Sequence, residues 1–457
     1  MKRSRPDWYD KIAPEPFTQK MFTHSLKQSV QTRVKLGHNH DLAKRYQPAW
    51  WLGSGIVLLG ALALFAGGNW IPWKDSGRFP DETAPYRNQN TPDKNTSITG
   101  NSPPQDSTDK LAKLPSLESL HWADQQQGWA ISGQQLLRTT NGGQSWDDVT
   151  PDSLKMLSKL VFLQAGSYFS DPQQAWLALS PAEENDTARG QVSVLRTEDG
   201  GSHWESVPVD VQEPWEGAGM QKLSFIDEHN GWLLVTSDPG AGQMGKALYR
   251  TEDGGITWTR LGEISQQIES YPTGMTFLDE RNGWITSINH AQDYPLIFHS
   301  GNGGRSWQPI KLSIPDDLGI EYYSSALPPV FFDSKGQEGW MPLQFYAAER
   351  LITIPYITQD GGSTWTPTTG IDSEPETVQF ISSQTGFYID RKQGLLFAST
   401  DGGDSWKERY RNPDFTEAKQ LHFSDERNGW LLTEKALWTT RDGGLAWKMK
   451  AEIEPGS

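Results

Sequence analysis

No cysteine occurs anywhere in the 457 residues. That single absence removes disulfide frameworks, thiol nucleophiles, thiolate metal sites and a lipid-modified N-terminal cysteine. Histidine is scarce as well: nine residues, none at H-x-x-x-H or similar spacing, so no metal and no other cofactor is expected. Hydrophobic residues make up only 35 % of the chain, whereas Gly (44) and Trp (21) are abundant. A rich helical core is therefore not expected, and short strands joined by many turns are.

Charge divides the chain. Residues 1–48 carry ten Lys or Arg against four Asp or Glu, and the remainder holds 31 basic and 53 acidic residues. An acidic body of that size repels phosphate backbones, so nucleic acid is not an expected partner. The 28 residues between Arg45 and Lys74 carry no charge, and within them Trp50 to Trp70 reads WWLGSGIVLLGALALFAGGNW. A bilayer-spanning helix needs about 20 apolar residues, and Trp50, Trp51, Trp70 and Trp73 lie at both ends, where indole rings prefer the headgroup layer. Residues 49–73 thus read as one transmembrane helix rather than a cleaved leader, whose charged part is shorter. The basic residues before it place the 1–48 tail in the cytoplasm and the rest outside, a single-pass cell-membrane arrangement. In the tail, Phe22, Leu26, Val30 and Val34 recur every fourth residue, which fits a short basic helix resting on anionic lipid. Residues 74–112 form a linker rich in Pro, Ser, Thr and Asn that cannot offset its own ordering entropy.

From residue 113 to 457 the chain repeats itself. The pattern [S/T]-x-[D/N]-G-G-x-x-W occurs seven times, with Asn141, Asp199, Asp253, Asn302, Asp360, Asp401 and Asp442 as its acid or amide. The pattern closes on Trp146, Trp204, Trp258, Trp307, Trp365, Trp406 and Trp447. Before each stands a second signature, approximately F-x-D-x-x-x-G-W, as in FIDEHNGW ending at Trp232 and FSDERNGW ending at Trp430. One unit reads strand, turn, strand, loop, strand, Asp-Gly-Gly turn, strand, and the shortest spacing between closing tryptophans is 41 residues. That matches a four-stranded antiparallel blade of about 40 to 50 residues. The expected fold is an all-β, seven-bladed β-propeller of such blades, preceded by the transmembrane helix and the disordered linker. The first blade is expected to begin with its own inner strand near Leu114 and the last to end near Ile453, without strand-swapped closure.

The Asp-Gly-Gly turns resemble the Asp-boxes, or BNR repeats, of sialidase- and sortilin-type propellers. Together with the F-x-D-x-x-x-G-W units, over residues 114 to 455, they most resemble the photosystem II assembly and stability factor family. The resemblance implies an assembly-factor or scaffold role; the tail, the anchor and the missing lipidation cysteine depart from that family.

Strands alternate in direction, so the two signature turns share one face and the loops after the second and fourth strands share the other. All long insertions fall on that second face: residues 154–168, 180–191, 207–220, 237–246 and 312–329, so the crown is expected to be built by blades 2 to 5. Binding loops on a rigid frame are a recurring arrangement. Candidate contact residues in this crown are Arg189, Trp215, Tyr271, Tyr294, Tyr322, Tyr323, Phe345, Tyr346 and Arg350, types enriched in interface hot spots. The expected ligand is a protein or a cell-wall glycan, and no catalytic residue is assigned. A sialidase would need three converging arginines, and Arg is sparse here. Other glycosidases need only two carboxylates about 5 to 10 Å apart. A membrane-anchored carbohydrate-active hydrolase is therefore the alternative.

Overall fold

The computed structural model describes residues 111–454, apart from Gln134 and the segments 156–165, 180–191, 212–218, 240–243, 289–293, 333–334 and 348–349. The tail, the membrane-span reading and most of the linker fall outside the described residues. Among the described residues, no helix is long and apolar enough to cross a membrane.

Seven separate sheets follow one another along the chain. Blades 1 to 7 occupy residues 117–148, 166–209, 221–263, 271–309, 320–367, 378–411 and 418–453. In blade 3, strands Gln221–Phe225, Gly231–Thr236, Lys246–Thr251 and Thr259–Glu263 pair antiparallel in sequence order. We name such strands a to d. The a strands are innermost; those of blades 2 to 5 lie against one another in sequence, as do those of blades 6 and 7, and blade 1 meets blade 7 in the same way. The sequence-based expectation of a seven-bladed, four-stranded antiparallel propeller therefore holds.

The F-x-D-x-x-x-G-W signature has a packing reason. Its first aromatic ends strand a directly opposite the glycine that opens strand b, as in Phe225 with Gly231. A Cβ on Gly231 would stand 2.4 Å from the Phe225 ring, so only glycine lets the ring lie flat there. The following Trp points to the next blade and meets the matching aromatic of its strand a. Trp232 stacks on Phe277 at 3.8 Å and 3°, Trp176 on Phe225 at 4.0 Å and 18°, and Phe387 on Phe423 at 3.7 Å and 6°. Trp284 with Phe331 and Trp340 with Phe380 follow the pattern at wider angles. Blade 2 carries Ala175 in place of the glycine, and its Phe169 meets Trp129 of blade 1 at 5.3 Å. At the closing seam Trp430 stacks on Trp122 at 4.4 Å and 18°. The signature acid accepts two backbone N–H bonds of its own turn, as Asp227 does from His229 and Asn230 at 2.8 and 2.7 Å.

The seven Asp-Gly-Gly turns are built alike. In blade 3, Thr251 Oγ1 accepts from Gly255 N at 2.8 Å and Asp253 Oδ1 from Thr257 N at 2.8 Å. Both glycines have positive φ, 70° and 90°, which the missing Cβ permits. The first glycine donates across to the signature turn of the same blade, Gly254 N to His229 O at 2.8 Å, and the other six blades repeat that bond. Each turn therefore consumes its own acid. Hydrogen bonds from His203 hold the Asp199 carboxyl down to about 2, and those from Ser405 do the same for Asp401. The closing tryptophans pack edge-on against their own blade's strand-a aromatic, Trp447 on Phe423 at 87° and Trp146 on Trp122 at 65°. Trp307, Trp365 and Trp447 are buried; Trp146, Trp204, Trp258 and Trp406 are half-buried. The tighter seam residue is the tryptophan of the other signature.

Closure differs from expectation. Ala112–Leu114 does not start blade 1 but pairs in parallel with Lys448–Ile453, as a fifth strand on the outer edge of blade 7. Glu454 N donates to Leu114 O at 2.8 Å. Pro115, which has no N–H to give a ladder, separates this strand from blade 1's true inner strand, Leu117–Trp122. Leu114 joins Ala451 and Ile453 in a buried cluster, which accounts for the pairing.

The inner strands present unpaired backbone groups toward the axis, and side chains of the preceding blade satisfy several of them. Gln379 Nε2 donates to Phe423 O at 3.0 Å, and at the closing seam Gln420 both accepts from Leu120 N and donates to Leu120 O, each at 2.8 Å. The residue before the strand-a aromatic is Tyr168, Ser224, Thr276, Val330 or Gln379 in blades 2 to 6 and histidine in blades 1 and 7, His121 and His422. Burial pushes His121 down to about 4; burial and the nearby His121 push His422 down to about 3.

Two outcomes follow for stability. Gly231→Ala should cost about 1 to 3 kcal/mol through overpacking, and Trp232→Ala about 3 to 5 through the lost ring, both measured by denaturant unfolding. Because the folded ring keeps both histidines neutral, their contribution is complete above pH 6.5, where the unfolded chain is neutral too, and declines as pH falls toward 4. Thermal melts of His121→Gln/His422→Gln should be flatter than those of the parent between pH 6.5 and 4.5. Parallel profiles would show that these imidazoles do not govern acid loss.

Candidate functional site

The outgrowth of blade 5 dominates the described part of the crown. Its strands b and c, Gly339–Ala347 and Arg350–Thr358, are nine residues each, against four to six elsewhere. Its inner strand comes in two pieces, Ile320–Ala326 and Val330–Phe331, both paired to strand b. Residues 320–326, expected to lie in a long loop, are therefore strand. Likewise residues 166–168 and 207–209, expected in insertions, belong to the strands Gly166–Phe169 and Glu205–Val209. Past the ring body the side chains of this ladder divide between a buried face and a more exposed one, with two register shifts in the inner strand.

That division sorts the candidates. On the inward face, Tyr323, Phe345 and Ile352 are cross-strand neighbours and almost fully buried. Tyr323 meets Phe345 edge-on at 5.9 Å and donates its hydroxyl to Ser287 O of blade 4 at 2.8 Å. Burial raises the Tyr323 phenol well above its usual value. These two residues, expected to be exposed contacts, are core. Tyr271 is core too, at the start of blade 4's inner strand and 9 % exposed. Arg189 and Trp215 lie outside the described residues.

On the outward face, Tyr322, Tyr346 and Leu351 form a row across three strands. Tyr322 and Tyr346 stack at 4.9 Å and 14°. Tyr322 is 37 % exposed and Leu351 39 %, and Tyr294, on the neighbouring blade 4, is 53 % exposed. Beside the row, Ile371 and Thr353 exchange two backbone bonds of 2.8 Å, which pins the following residues against the outgrowth. Asp372 Oδ2 then accepts from Arg350 at 3.0 Å and from Lys392 at 2.6 Å. Its burial alone would raise the carboxyl, but these two partners outweigh that and hold it below its usual range. Glu374 Oε2 accepts from Gln344 Nε2 at 2.8 Å. Burial, with a further push from the Glu374 charge and opposition from its own backbone N–H and Arg391, lifts Glu376 to about 7.

Leu351, Asp372, Lys392, Gln344, Glu374 and Glu376 belong to no motif, and sequence reading missed them. The one available signal was the two-residue period of EYYSSA and LQFYA, which separates Tyr322 from Tyr323 and Tyr346 from Phe345. Among the described residues, no group of three His, Asp or Glu is placed to hold a metal ion.

No family model matches the chain. It is similar to the photosystem II assembly lipoprotein of a Synechococcus species, 25 % identical over 274 residues that cover 52 % of this chain and 73 % of that protein. It is also similar to a xyloglucanase of Acetivibrio thermocellus, 22 % identical over 347 residues covering 65 % of this chain but only 39 % of the enzyme. Among solved structures, a GH74 xyloglucanase from Xanthomonas campestris aligns with a TM-score of 0.46 at 15 % identity, covering 75 % of this chain and 54 % of that one. The relatives thus include both assembly factors and xyloglucanases, joined to this chain by the propeller.

Proposed function

We propose that this chain is a binding scaffold whose propeller takes hold of a protein or a cell-wall glycan through its crown, centred on the outgrowth of blade 5 rather than spread over blades 2 to 5. Residues 49–73 tether it to a cell membrane as a single span, tail inside and propeller outside, and its seven Asp-Gly-Gly turns are Asp-boxes serving the frame. The observation that carries this reading is the exposed Tyr322–Tyr346 stack, set beside the prearranged Arg350–Asp372–Lys392 triad on the longest strands of the ring. Exposed, rigidly held tyrosines next to an arginine are the usual composition of a contact surface. The similarity to the assembly lipoprotein, which extends over most of that protein's length, supports it.

One observation favours a hydrolase instead. Glu376, whose carboxyl burial lifts to about 7 beside Glu374, has the properties of a general acid. Release of reducing sugar from any glycan by the full-length protein would establish that reading and remove the scaffold.

Photo-crosslinking from the full-length protein in cells tests the scaffold. A crosslinker at Tyr322 or Tyr346 should trap a ligand that one at Ile256 or Leu445, exposed on the opposite face, does not. Equal trapping from both faces, or none from the crown, would refute the assignment. Tyr322→Ala should weaken capture with little change in melting temperature, whereas Tyr323→Ala should cost roughly 3 kcal/mol of stability as a core truncation.

A further inference from the structure

We propose that the Tyr322–Tyr346–Leu351 row is a subsite for an uncharged glycan chain. This rests on the reading of the crown as the binding face and narrows its ligand. Tyr346 is held between Tyr322 and Leu351, so the row is one rigid apolar body that offers the outer face of Tyr322 and the edges of the stack to the C–H face of a sugar ring and loses little rotamer freedom on binding. The rim supplies the complementary polarity. Arg350 and Lys392 are drawn onto Asp372, and Gln344 orients Glu374, so donors and acceptors stand in place before any ligand arrives. Hydroxyl groups, each both donor and acceptor, suit such a mixed rim.

Charge decides between ligand classes. Arg350 and Lys392 are matched in number by Asp372 and Glu374, so these four groups give a polyanion no net attraction, and the acidic body around them repels it. A protein partner would have to cover the same ion pairs, of which Arg350 is 56 % and Lys392 66 % exposed. Desolvating those charges costs free energy, and interface centres are depleted of them. A glycan lying along the row leaves them in water and meets them at its edges.

Cellohexaose, chitohexaose and a xyloglucan oligosaccharide, immobilised beside hyaluronan and heparin, would be offered to the full-length protein at low and high salt. At least one neutral oligosaccharide should bind, and the affinity should hardly change with salt. Tyr322→Ala/Tyr346→Ala should weaken it about tenfold or more, equivalent to 1.4 kcal/mol. Tyr322→Phe/Tyr346→Phe, which keeps both rings and the fold, should bind like the parent. Binding to none of the neutral sugars, preference for the polyanions, or indifference to the alanine pair would each overturn the proposal. A protein trapped by crosslinking from Tyr322 with no neutral-glycan binding would leave the scaffold reading standing and remove this one.

Discussion

At all seven seams of the ring, an aromatic side chain from the second strand of one blade lies against an aromatic that ends the first strand of the next. Contacts of this kind are worth about 0.5 to 1.5 kcal/mol each beyond the area they bury, and here they act in a closed series. A ring has no free end, so a blade cannot slip without disturbing the seams on both sides of it. The glycine opposite each aromatic (Ala175 in blade 2), the acid that ties off its turn (Ser382 in blade 6) and the Asp-Gly-Gly hairpin bonded to that turn all keep the two rings in register. The signature-bearing face is therefore committed to construction, and chemistry that varies is left to the opposite rim.

Much of this was legible in the chain itself. Blade number, strand order and the structural duty of Trp232 or Gly254 followed from two alternating signatures, because the same local constraint recurs seven times and leaves the same residues. The crown was read less well, for a physical reason. An insertion in a propeller can become a loop or can lengthen the strands it interrupts, and aromatic content does not distinguish the two. In blade 5 the chain lengthened its strands, so Tyr322 and Tyr323, adjacent in sequence, ended on opposite faces, one in water and one in the core. Asp372 comes from the link between blades 5 and 6 and Lys392 from blade 6, and only the Ile371–Thr353 bridge brings the former to the site, a tertiary event with no local sequence mark. The start of blade 1 was misplaced because Leu114 and Leu117 look alike in a strand pattern; Pro115 was the punctuation between them.

The outgrowth and the ring obey different electrostatic habits. Around the ring body, the carboxylates of the two signatures are held chiefly by their own turns, as Asp227 and Asp253 are. On blade 5, carboxylates are instead shared with residues distant in sequence, Asp372 with Arg350 and Lys392, Glu374 with Gln344. Such long-range sharing fixes side chains that a simple loop would leave free to rotate, and it converts an acidic surface into a locally balanced one.

The parallel pairing of Ala112–Leu114 with the last strand also has a mechanical meaning. The polypeptide that precedes residue 112 joins the disc at its outermost edge, not at the inner strand from which the first blade grows. A pull on that leading segment is borne first by a three-residue ladder and the Leu114 anchor, and the inner strands and their aromatic seams feel it only after those give way. Whatever jostling arrives from upstream is thus taken up at the periphery, while the crown keeps its shape.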